Sequence, residues 1–222
     1  MPDKTVASLV DALAGVRDGA TVLVGGFGSV GHPTALLDAL IEQGASDLTL
    51  VSNNSGFGDR GMPRLMQLGR VRKIICSFPR TSEIFSDLYK QGKIEVEVVP
   101  QGTLAERMRA AGAGIPAFYT RTGANTLLAE GKESREFDGH TYIMERWLPG
   151  DVALVEAWRG DRWGNLTYNK TGRNFNPDMA TAATLTIAQV DRIVPLGELD
   201  PDQITTQGIF VDRVVEVRSP AG

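Results

Sequence analysis

No segment constrains this chain more than residues 18–33, which read DGATVLVGGFGSVGHP. Thr21–Val24 is a short apolar run rich in β-branched residues, and it predicts a buried strand. Residues 25–31, called the glycine loop below, contain four glycines, and Pro33 then opens a segment with helical spacing. A strand, a glycine-rich loop and a helix N-terminus together present free backbone N–H groups and a positive dipole end. We therefore expect the loop to bind a phosphate, a carboxylate or a developing oxyanion.

The same residues contain the glycine pattern of dinucleotide-binding proteins. Gly26–Gly31 reads G-x-G-x-x-G between a predicted strand and a predicted helix. That interpretation needs an acidic residue at the end of the second strand, where it would hold a ribose hydroxyl. The second strand, Leu48–Ser52, instead runs into Asn53 and Asn54, and Asp47 precedes it. The sequence therefore disfavours a nucleotide cofactor.

Short apolar runs alternate with helical segments through the first half of the chain. The expected strands and helices are Leu48–Ser52, Val71–Ser77 and Ile94–Val99, with Val6–Val16, Pro63–Leu68 and Ser82–Lys90. This alternation predicts an α/β fold, with a mainly parallel sheet covered by helices on both faces. Ligands of such sheets bind at the carboxyl ends of the strands, so the loops at 25–31, 53–59, 77–80 and 100–103 should converge.

The second half of the chain has a different pattern. Arg135–Met144 alternates around an Asp-Gly turn and predicts a β-hairpin. Val152–Trp158 and Gly164–Tyr168 predict a second strand pair. We expect these strands to form an antiparallel extension of the main sheet. No repeat or linker interrupts the sequence, so residues 1–222 are predicted to form a single domain.

Composition excludes several classes of protein. A net charge of -4, without a basic stripe, argues against nucleic-acid binding. The single cysteine, Cys76, lies in an apolar run and indicates a buried structural thiol, and two isolated histidines predict no metal site. No apolar run approaches the roughly 20 residues of a membrane span, and the N-terminal residues do not resemble a signal peptide. We expect a cytoplasmic protein that binds no membrane.

Polar side chains near the predicted carboxyl edge are candidates for chemistry. Asn53 directly follows a buried strand beside the glycine loop, and Gln101 follows the strand at Ile94–Val99. An amide N–H at either position could stabilise negative charge on a carbonyl oxygen under attack. Lys170 and Arg173 lie in a polar loop and could recognise a carboxylate. The alternative for these four residues is a solvated turn, and His32 is interpreted as packing at the start of a helix.

The longer pattern resembles the first signature of the family I coenzyme A transferases. Asp-Gly, a three-residue apolar run, Gly-Gly-Phe and a later Gly-x-Pro all occur at their places within residues 18–33. Segments 51–56, 99–107, 112–119 and 173–176 are similar to the α subunits of 3-oxoacid CoA-transferases. Within that group, residues 76–80 and 160–168 most resemble the enzymes that act on 3-oxoadipate in aromatic degradation. The resemblance implies a fold of the CoA-transferase (NagB/RpiA-like) type.

The resemblance also implies a division of labour between two subunits. The family's nucleophilic glutamate lies in a Ser-Glu-Asn-Gly motif, which this sequence lacks, and in two-subunit members it belongs to the β subunit. The implied partner is that β subunit in an α2β2 assembly. The implied substrates are succinyl-CoA and a 3-oxo acid, so coenzyme A is a substrate and no permanently bound cofactor is expected.

The resemblance assigns places for these substrates in the sequence. The residues implied to cradle CoA or the acyl group are Val24, Gly25, Gly26, Phe27, Gly28, Ser29 and Val30. Asn53 and Gln101 are the implied oxyanion donors, and Asn54, Lys170 and Arg173 are the implied substrate-binding residues. Two alternatives remain open. One is an α subunit for acetoacetate or acetate, and the other is a sugar-phosphate isomerase or effector-binding domain on a similar sheet.

Overall fold

The computed structural model describes residues 2–217, so the predicted domain of residues 1–222 extends beyond it at both ends. The helices of the described residues are α1 Leu9–Ala12, α2 Thr34–Gln43, α3 Met62–Gln67, α4 Glu83–Lys90, α5 Gln101–Gly112 and α6 Asn176–Thr181. The strands are β1 Thr21–Val24, β2 Leu48–Asn54, β3 Val71–Phe78, β4 Glu95–Val98, β5 Ala117–Thr120, β6 Ser134–Phe137, β7 His140–Arg146, β8 Gly150–Asp161, β9 Leu166–Thr167, β10 Ala183–Val194 and β11 Arg213–Glu216.

The main sheet has eight strands, and seven of them follow the order β11-β10-β8-β1-β2-β3-β4 with parallel pairing throughout. The chain adds strands β2, β3 and β4 on one side of β1, and strands β8, β10 and β11 on the other. The strand order therefore reverses at β1. In open α/β sheets the crevice for a ligand forms at such a reversal, beyond the carboxyl ends of the strands.

Side chains of the central strands alternate between two hydrophobic clusters, one on each face of the sheet. Val22 and Val24 of β1 pack with helices α1 to α4, whereas Leu23 between them packs with α5 and α6. Because successive side chains of a strand point to opposite faces, a strand covered on both faces must be apolar at almost every position. The predicted α/β fold, with helices on both faces of a mainly parallel sheet, is confirmed.

The predicted antiparallel extension differs from the structure in two ways. The hairpin at Arg135–Met144 is present, but its strands β6 and β7 form a separate three-stranded sheet with β5. Strand β8, which contains the predicted strand Val152–Trp158, lies in the middle of the main sheet and is parallel to β1 and β10. Only Arg159 and Gly160 at its end pair antiparallel with β9. The continuous burial of Val152–Val155 is typical of a central parallel strand.

The first helix is much shorter than the predicted Val6–Val16. Helix α1 begins after Ser8, whose side chain accepts a hydrogen bond from Asp11 N, and it covers only Leu9–Ala12. Gly15 has a positive φ of 89°, which an α-helix cannot accommodate. Leu13 and Val16 are nevertheless buried, as the pattern predicted, because the turn that follows α1 packs into the same cluster.

Candidate functional site

The glycine loop forms a tight turn at the reversal of strand order. Gly25 N donates to Leu154 O of β8 at 2.9 Å, so the loop begins between β1 and β8. Phe27 and Val30 then exchange two backbone hydrogen bonds, of 2.9 and 3.0 Å, across Gly28 and Ser29. The sequence prediction of a strand, a glycine loop and a helix at this point is confirmed, and helix α2 starts directly behind the loop.

Side chains from three other segments hold the carbonyl groups of this loop. Gly28 O accepts from His32 Nε2 at 2.9 Å and from Asn54 Nδ2 at 3.1 Å. Val30 O accepts from Asn174 Nδ2 at 3.1 Å, and Gly31 O accepts from Asn176 Nδ2 at 3.0 Å. The loop is therefore fixed through its carbonyl oxygen atoms.

Several backbone N–H groups of the loop have no protein partner. Within residues 2–217, the N–H groups of Gly26, Gly28, Ser29 and Gly31 donate no hydrogen bond. Backbone N–H groups without protein partners, arranged around a turn, favour the binding of an anion or an oxyanion. The structure thus provides the donors that the glycine pattern suggested.

Asn53 lies beside the loop with its side chain unpaired. The strand registers, extended by two residues past the pair of Leu23 and Val51, place it between Gly25, just beyond β1, and Ser77 of β3, on the face that carries α5 and α6. The residue is 5% exposed, and its carboxamide makes no hydrogen bond to any described residue. Ser77 Oγ, on the neighbouring strand, is buried without a partner among the described residues. Because the carboxamide of Asn53 has no protein partner, its polar groups are available to a ligand that binds beside the glycine loop.

Asn54 has a different environment from its neighbour. It is 1% exposed, its Nδ2 is bonded to Gly28 O, and its Oδ1 accepts from Gly56 N at 2.8 Å. Both polar groups of the side chain are thus engaged with the backbone. This arrangement favours a role in holding the glycine loop over the direct substrate contact that the sequence suggested.

Gln101 is the first residue of α5 and is exposed. Asn53 lies on β2, and Gln101 follows β4. Because β3 lies between these two strands, the residues are about two strand spacings, or roughly 10 Å, apart across the sheet. Thr103, one turn into α5, buries an Oγ1 that has no partner among the described residues. The two predicted donors lie at the same edge of the sheet, and a ligand that contacts both must extend across β3.

Lys170 and Arg173 bound a 3-10 turn that packs directly on the glycine loop. A Cβ atom added to Gly31 would lie 2.7 Å from Gly172 O of this turn. Both cationic residues are exposed. Arg173, however, lines a separate cavity of about 340 Å³ together with Arg109 and Asp178. The structure thus brings the turn to the loop and places the Arg173 side chain in a different cavity.

His32 is held by the glycine loop. Its Nε2 donates to Gly28 O, and a Cβ atom added to Gly26 would lie 2.5 Å from its ring. Burial lowers the pKa of the imidazole, and the bond to Gly28 opposes that shift only in part. A neutral ring packed on the loop supports the interpretation of His32 as a packing residue.

Glu156 was not among the site residues predicted from the sequence. It lies on β8 and lines a cavity of about 170 Å³ with Val30 of the glycine loop and with Asn169. Burial raises the pKa of its carboxyl group to about 7, the charge of Asp191 raises it as well, and a hydrogen bond from Gln189 Nε2 opposes both. The signal in the sequence was a glutamate inside the apolar strand Val152–Trp158, where a charged side chain needs a partner or a proton.

The described residues contain neither a group of three or more histidine, cysteine, aspartate or glutamate side chains placed to hold a metal ion nor a helix that could span a membrane. Cys76 is fully buried, as predicted, and burial raises the pKa of its thiol to about 12. A thiol that stays protonated is a poor nucleophile, so Cys76 is a structural residue.

Comparison with known proteins identifies the family. Residues 6–217 match the family model described as coenzyme A transferase. The chain belongs to the coenzyme A transferase family. The resemblance drawn from residues 18–33 and the other segments is therefore confirmed.

Curated relatives match this chain over all or nearly all of its length. The A subunit of the 3-oxoadipate CoA-transferase of Pseudomonas putida is 57% identical over 223 residues, which cover all of this chain and 96% of the relative. The A subunit of the succinyl-CoA:3-ketoacid coenzyme A transferase of Helicobacter pylori strain J99 is 50% identical over 212 residues, which cover 96% of this chain and 91% of the relative. Both relatives are named as one subunit of an enzyme.

Solved structures agree with the CoA-transferase fold. An acyl-CoA transferase from E. coli O157:H7, in a thioester complex with CoA, has a TM-score of 0.87 and 26% identity. It covers 99% of this chain, which spans 48% of its length. The decarboxylase AibA/AibB has a TM-score of 0.82 and 27% identity, over 97% of this chain and 84% of that structure. Because transferases and a decarboxylase share this fold, the fold alone does not decide the reaction.

Proposed function

We propose that this chain is the α subunit of a CoA-transferase that moves CoA from succinyl-CoA to 3-oxoadipate, in the cytoplasm. The observation that carries the proposal is full-length identity to two relatives named as A subunits of 3-oxoadipate CoA-transferases, at 57% and 55%. The relatives named for 3-ketoacids reach 51% over 98% of the chain in Xanthomonas campestris pv. campestris strain B100. The difference is modest, so acetoacetate is the second acceptor to test.

A partner subunit is part of this proposal. The relatives are named as A subunits, and the chain spans about half of the E. coli acyl-CoA transferase chain. Phe27 and Val30 at the tip of the glycine loop are each 45% exposed, and the neighbouring Phe57 is 46% exposed. Exposed apolar side chains grouped around a site are typical of a surface that another subunit covers. We assign that role to a β subunit in an α2β2 assembly.

The proposed reaction passes through enzyme-bound acyl groups. A glutamate carboxylate of the partner attacks the thioester carbonyl of succinyl-CoA and expels the CoA thiolate, which gives an acyl anhydride. The thiolate then attacks the glutamyl carbonyl of the anhydride, releases succinate and forms a glutamyl thioester. The carboxylate of 3-oxoadipate repeats the two steps in reverse order and leaves as a CoA thioester, which restores the glutamate.

Each addition step places negative charge on a carbonyl oxygen. In our proposal, the free N–H groups of Gly26, Gly28, Ser29 and Gly31 face CoA or the acyl group, and Asn53 and Gln101 donate to the oxyanions. Asn54 holds the glycine loop in place through its hydrogen bond to Gly28 O. Lys170, next to the loop, binds the second carboxylate of the acceptor, with Arg173 as the alternative.

The raised pKa of Glu156 is the observation that favours the alternative function, a sugar-phosphate isomerase. An isomerase that acts alone needs its own carboxyl group for proton transfer, and a buried carboxyl group with a pKa of about 7 suits that task. The cavity that Glu156 lines measures only about 170 Å³, which is small for a sugar phosphate. We therefore keep transferase chemistry as the proposed function.

The deciding experiment measures loss of succinyl-CoA in the presence of 3-oxoadipate or acetoacetate. It is run on this chain alone and on this chain mixed with the product of the adjacent open reading frame. We expect activity only in the mixture, with a higher kcat/KM for 3-oxoadipate. Activity of the chain alone would contradict the two-subunit proposal. A higher kcat/KM for acetoacetate would show that acetoacetate, not 3-oxoadipate, is the acceptor.

A further inference from the structure

The carboxamide of Asn176 joins three separate parts of the site. This residue, the first of α6, is completely buried. Its Oδ1 accepts from Glu156 N of the central strand β8 at 2.9 Å. Its Nδ2 donates to Gly31 O at 3.0 Å and to Gly172 O at 2.9 Å. One side chain therefore ties the glycine loop and the turn at residues 170–173 to the middle of the sheet.

Packing around Asn176 leaves the loop little freedom. A Cβ atom added to Gly25 would lie 1.8 Å from Asn176 Oδ1, and one added to Gly31 would lie 3.1 Å from its Nδ2. The carboxamide thus fills the space beside both ends of the glycine loop. Among residues 2–217, no other side chain bonds the loop, the turn and β8 at once. Asn54 and His32 reach only the tip of the loop at Gly28, and Asn174 joins the loop to the turn but not to β8.

We infer that Asn176 is a positioning residue of the transferase: it fixes the glycine loop so that the free N–H groups of the loop face the acyl-CoA. This inference rests on the proposed function, because it concerns how well those donors are placed for the reaction. Positioned donors stabilise developing charge only while they stay in place, and a displacement of about 1 Å can cost on the order of 100-fold in rate.

The test replaces the carboxamide by a group of the same shape. In Asn176→Asp, an oxygen replaces Nδ2 and faces Gly31 O and Gly172 O, whereas the bond from Glu156 N is kept. We expect kcat/KM for succinyl-CoA to fall by about 100-fold per folded complex. Asn125→Asp, at an exposed residue, makes the same chemical change away from the loop and should leave kcat/KM unchanged.

A pH series distinguishes positioning from a purely structural role. The introduced carboxyl group can donate one hydrogen bond when it is protonated, so the activity of Asn176→Asp relative to wild type should rise as the pH falls from about 8 to about 6. The pKa values of Glu156, His32 and Asp178 are also shifted near the site, so the pH profile of Asn125→Asp, which keeps Asn176, is the reference for their contribution. A structural role alone would lower the yield of folded complex and leave kcat/KM unchanged at every pH.

Two further measurements, on Asn176→Ser and on the amide chemical shifts of the loop, could disprove the inference. If Asn176→Asp does not fold, Asn176→Ser retains a neutral donor that is too short to reach both the loop and β8, and wild-type kcat/KM in that variant would overturn the inference. Amide chemical shifts of residues 25–31 in the chain alone should change in the variants. Unchanged shifts would also overturn it, whereas inactivity of the wild-type complex would instead reject the proposed function.

Discussion

Asn54 Nδ2 donates a hydrogen bond of 3.1 Å to Gly28 O, which joins the end of β2 to the tip of the glycine loop. The Oδ1 of the same side chain accepts from Gly56 N. One carboxamide thus sets the relative positions of two loops that follow adjacent strands. The sequence predicted that the loops at the carboxyl ends of the strands converge, and these two hydrogen bonds join two of them.

Replacement of Asn54 by aspartate should destabilise the chain. The bond from Gly56 N is retained, but a carboxylate oxygen then faces Gly28 O without a proton between them. A buried acceptor left without a donor costs about 1–3 kcal/mol, which corresponds to a decrease in Tm of roughly 2–10 °C at this length. Thermal unfolding followed by circular dichroism measures the change, and the exposed Asn125→Asp should leave Tm within about 1 °C of wild type.

Gly25→Ala should also be destabilising, for a steric reason. The new Cβ atom would lie 1.8 Å from Asn176 Oδ1, and the fully buried Asn176 cannot move aside. Overpacking of this kind costs about 1–3 kcal/mol or more in the free energy of unfolding. Gly102→Ala is the matched control, since no atom lies within 4 Å of its added Cβ and the helix α5 favours alanine. Equal unfolding midpoints for the two variants in urea would contradict the predicted contact.

Glu156 should make stability depend on pH. Its pKa is raised from 4.5 to about 7 in the folded chain, so folding favours the protonated carboxyl group. The favourable contribution is complete below the unfolded pKa and is lost as the pH rises through about 7. Glu156→Gln, which stays neutral, should therefore be more stable than wild type at pH 8 by roughly 1–3 kcal/mol, after discounting for solvent, and similar to it near pH 4.5. Unfolding curves at both pH values test this, and a constant difference would contradict the raised pKa.

The parts of the fold that depend on local pattern could be predicted from the sequence. The strand at Thr21–Val24, the glycine loop and the alternating units up to Val99 follow from apolar periodicity and from the positions of glycine and proline. The central place of β8 could not be predicted, because its neighbours β1 and β10 are far away in the sequence and nothing local selects them. Burial on both faces was the only available signal.

The residues of the candidate site also fall into two groups: those that a local sequence pattern indicates and those that depend on contacts between remote segments. Asn53 could be proposed from the sequence because it lies at the end of a strand beside the glycine loop, and the strand order alone predicts that relationship. Asn176 and Glu156 were missed because their roles depend on contacts between remote segments, such as the bond from Glu156 N to Asn176 Oδ1. A sequence pattern places residues at an edge of the sheet, but it does not determine which side chains meet there.

Asn53→Ala should lower turnover and leave the fold intact. The carboxamide makes no hydrogen bond to the described residues, so its removal breaks no internal hydrogen bond. If Asn53 donates to an oxyanion, kcat should fall by about 100- to 1000-fold. Steady-state kinetics of the two-subunit complex measure the effect, and Gln91→Ala, at an exposed residue with helical backbone angles, serves as a surface control. Turnover within a few-fold of wild type would show that Asn53 is not an oxyanion donor.

Lys170→Gln should alter the choice of acceptor. Lys170 belongs to the turn that contacts the glycine loop, whereas the Arg173 side chain lines the cavity shared with Arg109 and Asp178. 3-Oxoadipate keeps a free carboxylate while its other end reacts, and acetoacetate has none left. A charge-assisted bond to that carboxylate contributes about 1.5–3 kcal/mol, so kcat/KM for 3-oxoadipate should fall by roughly 10- to 150-fold, with little change for acetoacetate. Arg173→Gln is the matched variant, and a selective loss there instead would assign the carboxylate to Arg173.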